Sequence, residues 1–97
     1  MDNSFKDAAA ITPSDTVQLA KACLGIYVGG IGNVTVITYA EYARQKKITQ
    51  SEVVATILAA CTGVLFTAPP VGSIIPISAI AVRATGTTAT LMVALLP

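Results

Sequence analysis

The chain has 97 residues, enough for one domain with one modest core. Only 11% of its residues are charged, the net charge is +1, and 54% are hydrophobic, with a mean hydropathy of +0.72. Such a chain is too apolar to stay disordered and too weakly basic to neutralise a nucleic-acid backbone.

There is no His, so the commonest general base and metal ligand is missing. The composition points to a structural or binding protein whose apolar surplus meets a membrane or another subunit. The stretch from Val53 to Val82 carries no charge, but Pro69-Pro70 and Pro76 cut it. The uncut part, Val53–Ala68, falls short of the roughly 20 residues that span a bilayer. The N-terminus MDNSFKDAAA carries acids where a signal peptide needs a basic region. A soluble oligomer subunit is therefore favoured over a membrane protein. Cys23 and Cys61 have no CxxC spacing and read as small buried hydrophobes in a reducing compartment.

Residues 1–10 are small and polar and read as a flexible N-terminal arm, leaving 11–97 as a single β-rich domain. Thr12-Pro13-Ser14-Asp15 is an extended step into a turn: Pro13 restrains Thr12, and Ser14 and Asp15 can bond back to the backbone. Leu24–Val28 and the β-branched Val34–Thr38 read as strands. The glycines Gly29, Gly30 and Gly32 between them suggest a hairpin. They lack the spacing of a phosphate-binding loop.

Residues 39–62 break the strand pattern. Thr38-x-x-Glu41 and Thr49-x-x-Glu52 both fit a capping box. The first predicts a helix to about Lys47, the second a helix to about Cys61, although a long hairpin also fits. Five of the eleven charges fall between Glu41 and Glu52, so this tip is expected to face water. Val53, Val54, Ile57 and Leu58 would cover most of the second helix. An all-round apolar helix needs cover on several sides, which makes these four the candidate interface.

Strand grammar then returns. Val64–Thr67 is short, Val71-Gly72-Ser73 is a turn, Ile74–Ala84 is one longer run, and Thr85-Gly86-Thr87 is a tight turn. Thr88–Leu96 closes the chain, with Leu91, Val93 and Leu95 on one face. The pattern predicts a mainly β fold, a small antiparallel β-barrel or sandwich with a helical insertion at about 39–62. No nucleophile has a visible base, and no carboxylate pair or metal-ligand cluster has a usable spacing. Catalytic, cofactor and metal sites are accordingly expected to be absent.

An ordered series of residues carries a resemblance. It runs from Thr12-Pro13-Ser14-Asp15 through Leu19 to Gly25-Ile26-Tyr27-Val28-Gly29 and Gly32. It continues with Phe66, Pro70 and Gly72, then Ile75-Pro76, and ends with Val82-Arg83-Ala84-Thr85-Gly86-Thr87-Thr88-Ala89-Thr90. The series resembles the small spike-base proteins of tailed phages and gene transfer agents. Their members read TPSD, LYVGxxG, P-x-G, LP and RVxATGTTAT in that order. Two departures stand out. Residues 39–62 are longer than the family's usual link, and the arginine-rich segment before Ala84 keeps only Arg83.

The resemblance implies a virion structural protein on the capsid surface, made in the host cytoplasm and without catalysis or cofactor. It implies a cyclic homo-oligomer, trimer or pentamer, bound to the major capsid protein. There it would serve as a spike base or decoration subunit that anchors a spike or fibre protein. The alternative reading is a small membrane-inserted phage accessory protein.

Overall fold

The computed structural model of the chain describes residues 7–19 and 21–96. Among the described residues, alternating apolar residues and turn formers make seven short strands: β1 (Asp7–Ala10), β2 (Gly25–Val28), β3 (Val34–Thr38), β4 (Val64–Phe66), β5 (Ile74–Ile75), β6 (Ala79–Val82) and β7 (Met92–Leu96). Between β3 and β4 lie two helices, α1 (Tyr39–Thr49) and α2 (Val54–Ala60). The strands form two antiparallel sheets. The first has the order β1-β7-β2-β5, the second β4-β3-β6. This is the expected small β sandwich with a helical excursion. No barrel closes.

Each sheet buries one face against the other. The shared core contains Ile26, Val28, Val34, Val36, Ile75, Ala79, Val82, Met92 and Ala94. The second sheet also buries its outer face. There Ile37, Ile80 and Ala81 pack under Ile57, Leu58 and Cys61 from the helical segment. A strand buried on both faces reads as an unbroken apolar run, and β6 is one, with all four residues buried. The helices therefore form a third layer over the second sheet. Among the described residues no helix is long and apolar enough to cross a membrane.

Several local expectations are corrected. β2 and β3 are not a hairpin: β2 pairs with β5 and β7, and β3 pairs with β4 and β6. The glycine segment between them carries the chain from one sheet to the other. The run Ile74–Ala84 is not one strand either. It splits into β5 and β6, one in each sheet, because Pro76 cannot donate to a ladder and the chain crosses over beside it. The last strand begins at Met92 and not at Thr88; it buries Met92, Ala94 and Leu96, and Val93 and Leu95 share its other face. Leu91 takes a left-handed φ of 54°, so regular pairing starts one residue later. Of the expected arm, Asp7–Ala10 is β1, paired along its length with β7, and residues 1–6 lie outside the described residues.

Thr38 caps α1 as the first box predicts, its hydroxyl accepting from Glu41 N–H at 3.2 Å, but the Glu41 carboxylate bonds elsewhere. Lys46 and Lys47 sit in the last turn, where the helix dipole favours cations. The second box does not open α2. Helix α1 runs through Thr49, whose hydroxyl donates to Gln45 O at 2.8 Å, and α2 begins only after Val53, without a side-chain cap.

Candidate functional site

Two groups of side chains organise the molecule beyond its cores. The first is a knot of loops at which the distant motifs meet. Ser14 Oγ accepts from Thr16 N–H and Val17 N–H, both at 3.2 Å, and closes the turn that presents Asp15. The Asp15 carboxylate then accepts from Thr85 N–H at 3.1 Å and from Thr85 Oγ1 at 2.6 Å. These bonds, the hydroxyl first, hold the Asp15 carboxyl below its ordinary range. Ser14 N–H also donates to Val82 O, so this segment runs beside the free edge of β6.

Asn33 is the hub of the knot. Its N–H donates to Thr88 Oγ1, its carbonyl accepts from Thr88 and Ala89 N–H, and its side-chain oxygen accepts from Ala68 N–H at 2.8 Å. Thr87 Oγ1 accepts from Thr35 N–H at 2.9 Å. Gly32 has φ +142°, and a Cβ there would stand 2.4 Å from Ala89 N. A Cβ on Gly30 would overlap the Thr90 side chain. The glycines are needed because this segment lies directly against the Thr88–Thr90 backbone. Gly86, with φ +86°, turns the chain beside Thr35.

The second group anchors the helical layer. Glu41 was expected to face water, but it is buried. Its Oε2 accepts from Thr62 N–H at 2.9 Å and its Oε1 from Arg44 at 2.6 and 3.0 Å. The Thr62 bond first, and the Arg44 bonds second, hold its carboxyl below the ordinary range. From the other side Arg83 Nη2 donates to Leu58 O and Cys61 O, both at 2.6 Å. The end of α2 is thus pinned between a carboxylate from α1 and a guanidinium that follows β6.

The remaining sequence-predicted residues are dispersed. Thr12 is exposed and Pro13 half-buried on the way to Ser14. Phe66 packs against the shared core. Gly72 N–H donates to Val28 O at the end of β2, Gly29 N–H to Leu91 O, and Pro76 stands at the crossover. Tyr27 lies on the outer face of the first sheet. Of the candidate interface residues, Ile57 and Leu58 are 1% and 0% exposed inside the chain's own second core. They are not open to a partner. Only Val53 is well exposed, and Val54 is half-buried against that core.

Sequence reasoning missed Asn33, Thr35 and Glu41. The signal for Asn33 was a lone amide between a glycine turn and a β-branched strand. Cys23 and Cys61 are both buried free thiols in different cores, and burial pushes both thiols up. A cavity of about 250 Å³ opens beside β1, lined by Ala9, Thr12, Gln18, Lys21 and Leu96 among others. It gathers no pair of acid and base. Asp15, Glu41 and Arg83 each hold backbone.

No protein-family model matches the chain, and no curated protein matches it. Among solved structures it is similar to a chain in the capsid of a native gene transfer agent (GTA) particle computed with C5 symmetry. The two share 26% sequence identity with a TM-score of 0.65, over 93% of this chain and 81% of that one.

Proposed function

We propose that this chain is a non-enzymatic structural protein of a phage or gene-transfer-agent particle. The observation that carries the reading is the likeness to a capsid chain over 93% of the length at 26% identity. The internal chemistry supports it. Asp15, Glu41 and Arg83 each bind main chain, which stiffens the fold and leaves them without a free role in proton transfer.

Within that class the reading is a capsid-bound spike base or decoration subunit. Its partners are further copies of itself in a cyclic oligomer, the major capsid protein, and a spike or fibre protein. The motif series supports the finer reading, since Asp15 with Thr85 joins its first part to its last. Its location is the virion surface.

The test is to purify particles carrying a labelled copy and image them. Label at fixed, symmetry-related points on the outside of the shell is expected. Particles that carry none, with the protein left in the soluble fraction, would overturn the proposal.

A further inference from the structure

The two cores of the chain share no residue. The sandwich core holds thirteen buried residues from both sheets and their loops. The second core joins Ile37, Ile80 and Ala81 to the helical layer, residues 39–62. That layer contributes few anchors. Its buried apolar residues are Ile57, Leu58 and Cys61, all from α2 and its C-terminal cap, while Tyr42 and Val54 lean half-buried on the same core. Helix α1 fully buries Glu41 alone, and Glu41 bonds to Arg44 and Thr62 of the same layer. Helix α2 has seven residues and no side-chain cap, too short to hold by itself in water. Beyond the Thr38 cap, Arg83 is the one side chain among the described residues that hydrogen-bonds the layer from outside, through Leu58 O and Cys61 O. The layer also leaves and rejoins the sandwich at neighbouring points. β3 and β4 pair directly, with Val36 opposite Val64, so the helices are an excursion from the end of that ladder.

We propose that the helical layer is a cover that opens as a unit while the sandwich stays folded. Opening breaks no sheet ladder, because the paired residues of both sheets all lie outside 39–62. It removes no residue from the sandwich core. It gives up the burial of Ile57, Leu58 and Cys61 and the two Arg83 bonds, a small part of what global unfolding gives up. Segments held by few buried apolar contacts open below the global free energy. Arg83 is the latch: it follows β6 and reaches across to the end of α2. The chain thus carries a conformational device. The apolar outer face of β3 and β6, with Ile37 and Ile80, is hidden in the closed form and presented in the open one. The inference goes beyond the reading of the protein as a particle subunit and does not depend on it. Two native reporters follow the two forms: Cys61 lies in the second core and Cys23 in the sandwich core, 6% and 0% exposed.

The experiment is alkylation of the full chain by N-ethylmaleimide, read at each cysteine by mass spectrometry, in urea concentrations below the unfolding transition. The reagent is kept dilute enough that rates stay proportional to it, so that they report the open population. Cys61 should react at least about 10-fold faster than Cys23, and its rate should climb with urea as a large opening requires. Ile26→Val weakens the sandwich core alone, so it destabilises the closed and open forms equally against the unfolded chain. It should speed Cys23 about 2- to 10-fold and leave Cys61 unchanged. If Ile26→Val does not fold, Ile75→Val carries the same test. Arg83→Met removes the latch and should speed Cys61 at least about 10-fold. Equal acceleration of both cysteines by Ile26→Val would mean that the molecule opens only as a whole. A Cys61 rate that ignores urea would mean fraying at the end of α2. Either result overturns the inference, as does a Cys23 that reacts as fast as Cys61, and an unchanged Cys61 rate in Arg83→Met overturns the latch.

Discussion

The Asp15 carboxylate accepts both the N–H and the hydroxyl of Thr85, seventy residues further along the chain. The contact joins the first turn of the domain to the loop that precedes the last strand. Asp15→Ala removes both bonds and should lower the melting temperature. Asp15→Asn keeps one acceptor oxygen and should lower it less. Equal melting points for wild type and Asp15→Ala, by calorimetry, would mean the contact does not hold the knot.

Acid should loosen the fold through two carboxylates. Asp15 and Glu41 both have folded pKa values below their ordinary range. A carboxyl lowered in this way stabilises the fold above its unfolded pKa, and that contribution disappears as pH falls through the folded value. The urea midpoint should therefore be flat near neutrality and fall below about pH 4. The drop should shrink in Glu41→Gln and shrink further in the double variant with Asp15→Asn. A midpoint independent of pH down to 3 would contradict the assignment.

Arg83 should hold the end of α2 specifically. Its two bonds to Leu58 O and Cys61 O are charge-assisted. Arg83→Met should cost about 2–3 kcal/mol. Hydrogen exchange should show the loss first at α2 amides, with β2 and β7 still protected. Uniform acceleration across both sheets would argue that Arg83 supports the whole fold instead.

The two exposures within the α2 segment set up a contrast. Leu58 is fully buried while Val53 is 59% exposed. Leu58→Ala should cost about 2–5 kcal/mol, and Val53→Ala should stay within about 0.5 kcal/mol. Ile57→Asp should damage the isolated subunit itself, because the charge would enter the second core. Urea denaturation of the three variants checks this directly.

Gly32 and Gly72 both have positive φ but differ in their surroundings. A Cβ on Gly32 would strike the Ala89 backbone, while one on Gly72 meets nothing within 4 Å. Gly72→Ala should cost about 1–2 kcal/mol from backbone strain alone. Gly32→Ala should cost clearly more and should raise exchange at the Thr88 and Ala89 amides. Similar losses at the two positions would contradict the close approach.

What the sequence determined by itself were the features written in neighbouring residues. The Thr38 cap, the basic end of α1, the β-branched β3 and the turns at Gly72 and Gly86 depend on contacts a few residues apart, and each was legible. The mainly β class followed from the density of such signals. What only the tertiary structure decided was partnership. Turn grammar proposes a hairpin at Gly29–Gly32, but it cannot say that β7 and β5 will take both sides of β2 and leave β3 to another sheet. Strand pairing is non-local, and its energy comes from faces that a one-dimensional pattern does not bring together. The same reason hid the roles of Asn33 and Glu41, whose partners lie 35 and 21 residues away at Ala68 and Thr62. It also hid what covers Ile57 and Leu58: an apolar α2 looks unsatisfied until the outer face of β3 and β6 is seen to lie beneath it.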